Sequence, residues 1–146
     1  MKKKMILTIA MIGLLLTSVA CAAANAKEQA PEVKVTVTID ELMNNNHIEK
    51  QVEIAADDIL TIILGSNPIT GFNWTDIAQV SDEDILKQTN HEYHAPDTDV
   101  PGTAGNEEWT FKALMPGETE VKMEYSRPWE GGEKGEWTFN LTVKVK

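Results

Sequence analysis

The sequence predicts an all-β fold, an antiparallel immunoglobulin-like β-sandwich of about seven or eight strands. Short segments in which apolar and polar residues alternate follow one another along most of the chain. Clusters of Gly, Pro, Asn and Asp separate these segments, as expected for the turns between strands. No long segment has the 3.6-residue apolar period of a helix. These three observations together favour two packed sheets.

Strands are predicted wherever the apolar pattern has a period of two or is continuous over a strand length. The first segment places every second residue from Val33 to Ile39 on one apolar face, and the last does the same from Trp137 to Val145. The predicted strands are residues 33–39, 51–54, 59–64, 72–77, 87–95, 108–114, 119–125 and 136–146.

The connections differ in character. Ser81 is predicted to cap a short helical turn over residues 82–86, because acidic residues occupy its first turn. Residues 96–106 and 126–135 are longer and rich in Gly and Pro, so they are predicted to be loops.

The N-terminal segment has the features of a secretory leader. Three lysines at positions 2–4 precede an apolar run at 5–19, and small residues follow. The run is shorter than the ~20 residues of a transmembrane helix. We therefore expect a leader at residues 1–26, a tether at 27–32 and one domain at 33–146, in an exported protein that is secreted, periplasmic or lipid-anchored at the cell surface.

Cys21 is the only cysteine of the chain, and two processing routes fit its surroundings. It resembles the lipidated first residue of a bacterial lipoprotein, because small residues precede it. Alternatively, cleavage follows the A-x-A site formed by Ala24 and Ala26, which would discard Cys21. Both routes exclude an intramolecular disulfide and a cysteine nucleophile in the domain.

The net charge of the chain limits the classes of molecule that it is expected to bind. Removal of the three leader lysines changes the net charge from −10 to −13. So acidic a domain argues against nucleic acid as a partner, and against membrane contact other than through a lipid on Cys21. We expect a monomer.

No catalytic, cofactor or metal motif is evident in the sequence. His91 and His94 are three residues apart, so on a strand they would face opposite sides and could not bind one metal ion together. Ser66 and Ser126 lie outside any G-x-S-x-G motif. The glycine-rich segments lack the spacing of a phosphate-binding loop. We therefore expect a protein without cofactor or metal that is not an enzyme.

Three long loops, GSNPITGF, PGTAGNEEW and YSRPWEGG, remain to be explained, and two of them carry side chains that a simple connection does not need. The apolar or large groups are Ile69 and Phe72 in one loop, and Arg127 and Trp129 in another. Trp and Arg are enriched at binding hot spots. We expect Phe72 to fold back onto the core and Trp129 to be exposed.

The residues of these loops resemble the chagasin family, proteinaceous inhibitors of papain-like cysteine peptidases. The family pattern is an N-P-x-T-G-aromatic loop, a Gly-rich loop before an aromatic strand, and an R-P-aromatic loop. Here these are NPITGF at 67–72, GTAGNEEWTF at 102–111 and RPW at 127–129, in the family's order. The resemblance covers residues 52–146. It departs from the pattern at Ile69, where Thr is common, and between the two glycines of the second motif.

The resemblance implies a sandwich with the three loops at one end. The first would enter the peptidase cleft beside the catalytic cysteine, with the hydroxyl of Thr70 near the catalytic pair, and the other two would clamp its flanks. An exported adhesion or carbohydrate-binding module remains the alternative. The residues that the resemblance places against the peptidase are Asn67, Pro68, Ile69, Thr70, Gly71, Phe72, Gly102, Thr103, Ala104, Gly105, Arg127, Pro128 and Trp129.

Overall fold

The structure is a computed structural model that describes residues 30–146. The predicted leader, Cys21 and residues 27–29 of the predicted tether lie outside the described residues. Within residues 30–146, no helix is long and apolar enough to cross a membrane.

Residues 30–146 form nine strands, one short α-helix and one 3₁₀ turn at Pro68–Thr70. The elements are β1 (Glu32–Val37), α1 (Ile39–Asn44), β2 (His47–Ile54), β3 (Ile59–Ser66), β4 (Asn73–Trp74), β5 (Gln79–Val80), β6 (Leu86–His94), β7 (Gly105–Ala113), β8 (Gly117–Ser126) and β9 (Trp137–Val145).

Two sheets pack face to face, which confirms the predicted sandwich. One has the strand order β1-β3-β7-β6, and the other β2-β9-β8-β4 with β5 also paired to β8. The pairings β1–β3 and β2–β9 are parallel, so the sheets are mixed rather than wholly antiparallel. The reason is that the chain crosses between the sheets after β1 and again after β2. It therefore enters β3 in the same direction as β1.

Side chains of alternating residues fill the space between the sheets. The predicted apolar face of β9 is confirmed, with Phe139, Leu141 and Val143 fully buried. Trp109 and Phe111 on β7 are buried opposite them. The period-two pattern therefore identified the core face of these strands.

Helix α1 was not predicted, and Ile39 begins this helix instead of ending a strand. A capping box starts the helix, since the Glu41 N–H donates to Thr38 Oγ1 at 3.2 Å and the Thr38 N–H donates to Glu41 Oε2 at 2.8 Å. These bonds from Thr38 hold the pKa of the Glu41 carboxyl below its ordinary value. The T-x-x-E spacing was a usable signal, but six residues are too few to show a helical period.

The strand predicted at residues 72–77 is much shorter in the structure, where only β4 pairs. The indole Nε1 of Trp109 donates to the carbonyl oxygens of Thr75 and Asp76, at 3.2 Å each. A side chain therefore binds the backbone groups that a longer strand would have paired.

The turn predicted over residues 82–86 is present, since residues 83–85 form a turn and the Leu86 N–H donates to the Asp82 carbonyl at 3.3 Å, but it does not extend into a helix and Ser81 does not cap it. The Asp82 carboxylate, rather than Ser81, accepts the N–H of Asp84 at 3.0 Å. The Ser81 hydroxyl instead lies 3.0 Å from Thr119 Oγ1 on β8. The acidic residues thus close a local turn, which competes with helix formation.

Candidate functional site

Three loops lie together at one end of the sandwich. We define the first loop as residues 67–72, the second as 95–104 and the third as 127–136. The Asn67 side-chain amide donates to the Gly102 carbonyl at 3.2 Å, which joins the first loop to the second. A Cβ at Gly71 would lie 2.8 Å from Trp129 Cη2, so the first and third loops are in contact.

The first loop is shaped by its own backbone. Pro68 opens a 3₁₀ turn, and Gly71 ends it in the left-handed region at φ +82°. The N–H of Gly71 donates to the Pro68 carbonyl at 2.9 Å. The Thr70 hydroxyl donates to the Asn67 carbonyl at 2.8 Å, so it stabilises the turn. Ile69 lies at the tip with 76% of its surface exposed.

The base of the first loop is held by buried polar contacts. The Asn67 N–H donates to Tyr125 Oη at 2.9 Å. The hydroxyl of the preceding Ser66, which is fully buried, donates to Glu107 Oε1 at 2.6 Å. Glu107 is itself 4% exposed, and a hydrogen bond from one buried group to another holds both in place. The loop therefore rises from a fixed base.

Rings and a guanidinium stack continuously from the core to the third loop. The Tyr125 ring stacks on Trp137 at 4.6 Å between centroids and on Phe72 at 5.6 Å. The guanidinium of Arg127 then lies over the Phe72 ring at 4.4 Å and over the Trp129 ring at 5.9 Å. We call this series the aromatic column. Phe72 is half-buried within it, and Trp129 is 53% exposed at its outer end, as expected from the sequence.

The second loop has fewer ties to the rest of the molecule. The Thr103 hydroxyl donates to the Val100 carbonyl at 2.9 Å, which closes a local turn. Gly102 has φ +85°, and a Cβ there would meet no atom within 4 Å. Ala104 is half-buried. Gly105, predicted to be a contact residue, is instead buried at the start of β7, where a Cβ would lie 2.3 Å from the His94 carbonyl oxygen.

The two histidines of β6 face different sides, as predicted from their spacing. His91 Nε2 lies 2.9 Å from Glu107 Oε2, and His94 Nε2 lies 3.6 Å from the adjacent Glu108. Asp76 Oδ1 lies 3.8 Å from the other ring nitrogen of His91. One potential ligand atom from each of Asp76, His91 and Glu107 lies within 4.8 Å of the others, so these three side chains converge closely enough to hold a metal ion.

Three side chains near the loops had not been singled out from the sequence. Val100 is 63% exposed in the second loop, and an isolated valine in a polar loop was the available signal. Glu133 and Lys134 contact Arg127 within the third loop. No local pattern marks them, because their partner lies six and seven residues away in an irregular segment.

The fold and the loops define a class of protein: a β-sandwich that presents one preformed edge of three adjoining loops. Comparison with known proteins identifies the family. A model of the chagasin family peptidase inhibitor I42 matches residues 53–143. The chain belongs to this family, and it is a peptidase inhibitor rather than an enzyme.

Individual relatives agree with this assignment. Chagasin from Trypanosoma cruzi is 27% identical over 101 residues, which span 68% of this chain and 92% of chagasin. Amoebiasin-2 from Entamoeba histolytica is 32% identical over 95 residues, or 65% of this chain and 76% of that protein. The crystal structure of the cysteine protease inhibitor EhICP2 from Entamoeba histolytica has a TM-score of 0.62 at 25% identity, covering 79% of this chain and 97% of that one.

Proposed function

We propose that this protein inhibits papain-like cysteine peptidases reversibly, by filling the active-site cleft with the first loop and gripping its rims with the second loop and with residues 127–129 of the third. The observation that carries the proposal is the preformed edge, in which the first loop contacts both neighbours. Asn67 bonds to Gly102 on one side, and Gly71 contacts Trp129 on the other.

The first loop suits a narrow cleft. Ile69 at its tip is exposed, while backbone and hydroxyl bonds inside the turn fix its shape. A loop that is already ordered loses little conformational freedom on binding, so a modest contact area yields high affinity. The Thr70 hydroxyl is engaged with Asn67, so its role is to maintain the turn as well as to face the peptidase.

The flanking loops supply area and selectivity. Trp129 offers a large, rigid and exposed ring at the outer end of the aromatic column. Thr103 and Gly102 lie exposed on the opposite side of the first loop, with Val100 beside them. These two surfaces would contact opposite walls of the cleft.

Inhibition would involve no covalent step from the inhibitor. The only cysteine of the chain is Cys21, which precedes the domain. Occlusion therefore needs only binding, and activity should return on dilution. The net charge of −13 after leader removal favours peptidases with a neutral or basic surface around the cleft.

A titration tests the proposal. The mature domain, residues 27–146, is titrated against papain, and against a trypsin-type serine peptidase as the control. We expect dose-dependent, dilution-reversible loss of papain activity and an unaffected serine peptidase. A folded domain at micromolar concentration that leaves papain fully active would refute the proposal.

We further propose that the protein is exported, on the basis of the basic, apolar and small-residue pattern in residues 1–26. Mass spectrometry of the natively processed protein should find its N-terminus either at a lipidated Cys21 or at Lys27. An intact Met1 terminus in the cytosolic fraction would contradict export.

A further inference from the structure

Within the third loop, Glu133 binds Arg127 through both backbone and side chain. The Arg127 N–H donates to the Glu133 carbonyl at 2.8 Å. The Arg127 guanidinium donates to Glu133 Oε2, also at 2.8 Å. The loop is therefore closed across six residues, and one of the guanidinium nitrogens is fixed by a charged partner.

Lys134 and Gly132 fix the backbone of the segment between them and Arg127. The Lys134 ammonium donates to the carbonyl oxygens of Arg127 and, at 3.2 Å, of Trp129. The Gly132 N–H donates to the Trp129 carbonyl at 3.1 Å. The backbone that carries the Trp129 ring is thus bound from two directions.

The Arg127 guanidinium is engaged inside the free protein. It contacts the Phe72 and Trp129 rings as well as Glu133. Its Nε is buried. A guanidinium with these contacts is well placed to join the first and third loops, while 36% of the Arg127 side chain stays exposed.

We propose that Glu133 and Lys134 are positioning residues for inhibition, which act by holding Arg127 as a brace between Phe72 and Trp129. This proposal rests on the inhibitor function proposed above. Without the brace, the Trp129 ring would sample positions that do not fit the peptidase. Apparent affinity would then fall in proportion to the fraction of molecules in the competent state.

Two isosteric substitutions in the same loop test the brace. Glu133→Gln removes the charge that holds Arg127. Glu130→Gln removes an equal charge from an exposed residue three positions away, for which no ion pair is found among the described residues. A general electrostatic effect on the peptidase would be the same for both. We expect Glu133→Gln to raise the inhibition constant for papain about tenfold, and Glu130→Gln to change it by less than about twofold.

A second measurement needs no peptidase. The ¹⁵N relaxation of the Trp129 indole N–H reports the mobility of the ring directly. We expect larger-amplitude motion in Glu133→Gln and in Lys134→Met, and unchanged motion in Glu130→Gln. Circular dichroism and thermal melting of each variant establish that the sandwich is intact.

A double-substitution cycle separates a brace from direct contact. If Arg127 acts through Trp129, adding Glu133→Gln to Arg127→Gln causes little further loss of affinity for papain. If the two substitutions instead weaken affinity by independent factors that multiply, the brace is overturned. It is also overturned if the mobility of the Trp129 indole is unchanged and Glu133→Gln and Glu130→Gln have equal inhibition constants. Either result leaves the inhibitor function standing. If the wild type failed to inhibit papain, the inhibitor function would fail, and the indole measurement would still decide whether the brace exists.

Discussion

The first and third loops form one braced unit, whereas the second loop at the same end is largely self-contained. Gly71 contacts Trp129, and the Arg127 guanidinium lies over the Phe72 ring, so the first and third loops share a packed interface. The second loop is held by its own turn and by a hydrogen bond from Asn67. Its Gly102 has open space around it.

This difference suggests a division of labour at the proposed binding edge. A rigid unit binds with little loss of conformational entropy, and it provides most of the affinity. A loop with open space around it can adjust to the surface it meets, at a larger entropic cost. The same end of the molecule would then combine a rigid unit, the first and third loops, with a second loop that can adapt its conformation.

The sharpest test of this comparison uses two glycines of nearly equal backbone angle. Gly71 has φ +82° and Gly102 has φ +85°, but only at Gly71 would a Cβ meet Trp129. Gly71→Ala should weaken papain inhibition by about 3 kcal/mol, combining left-handed strain with displacement of a hot-spot ring. That is roughly 150-fold in the inhibition constant.

Gly102→Ala introduces similar strain without a clash. We expect it to weaken inhibition by only about 1 kcal/mol, roughly fivefold. Steady-state titrations of both variants make the measurement. Equal losses would mean that contact between the first and third loops is unimportant for binding.

Trp129→Ala removes the outer end of the aromatic column. Because the ring is 53% exposed, we expect a loss of affinity of about 2 kcal/mol, roughly thirtyfold, with little change in melting temperature. A marked drop in the melting temperature, seen by differential scanning calorimetry, would show that the ring serves the core instead.

Two adjacent glutamates on β7 test the shared base of the first and second loops. Glu107 is buried and bonded to Ser66 and His91, so Glu107→Ala should lower the free energy of unfolding by about 2 kcal/mol. Glu108 forms a partly exposed pair with His94, and Glu108→Ala should cost less than about 1 kcal/mol. Chemical denaturation of both variants measures the difference, and equal values would remove Glu107 as an anchor.

Another small effect on inhibition is expected from the hydrogen bond between the first and second loops. Asn67→Asp keeps the side-chain size but removes the donor to the Gly102 carbonyl. We expect inhibition to weaken by about 1 kcal/mol, roughly fivefold. If Gly102→Ala and Asn67→Asp together cost no more than either alone, the bond is the route by which the second loop contributes. Fully additive losses would point to independent contacts.

The sequence alone determined the sandwich, most strand positions and the three loops of the site. Period-two alternation from Trp137 to Val145 specifies a buried face, because successive side chains of a strand point to opposite sides. The Pro68 and Gly71 positions specify a tight turn, because each restricts or permits particular backbone angles. These are local properties, so neighbouring residues are enough to read them.

Tertiary structure alone decided how these parts meet. Alternation identifies the buried face of a strand but not the strand with which it pairs, so the parallel pairing of β1 with β3 could not be predicted from it. The contact of Gly71 with Trp129 joins residues far apart in the chain. The place of Arg127 over Phe72 likewise depends on the sandwich bringing two loops to one end. Such contacts have no local sequence signature, because their geometry arises only when the sheets pack.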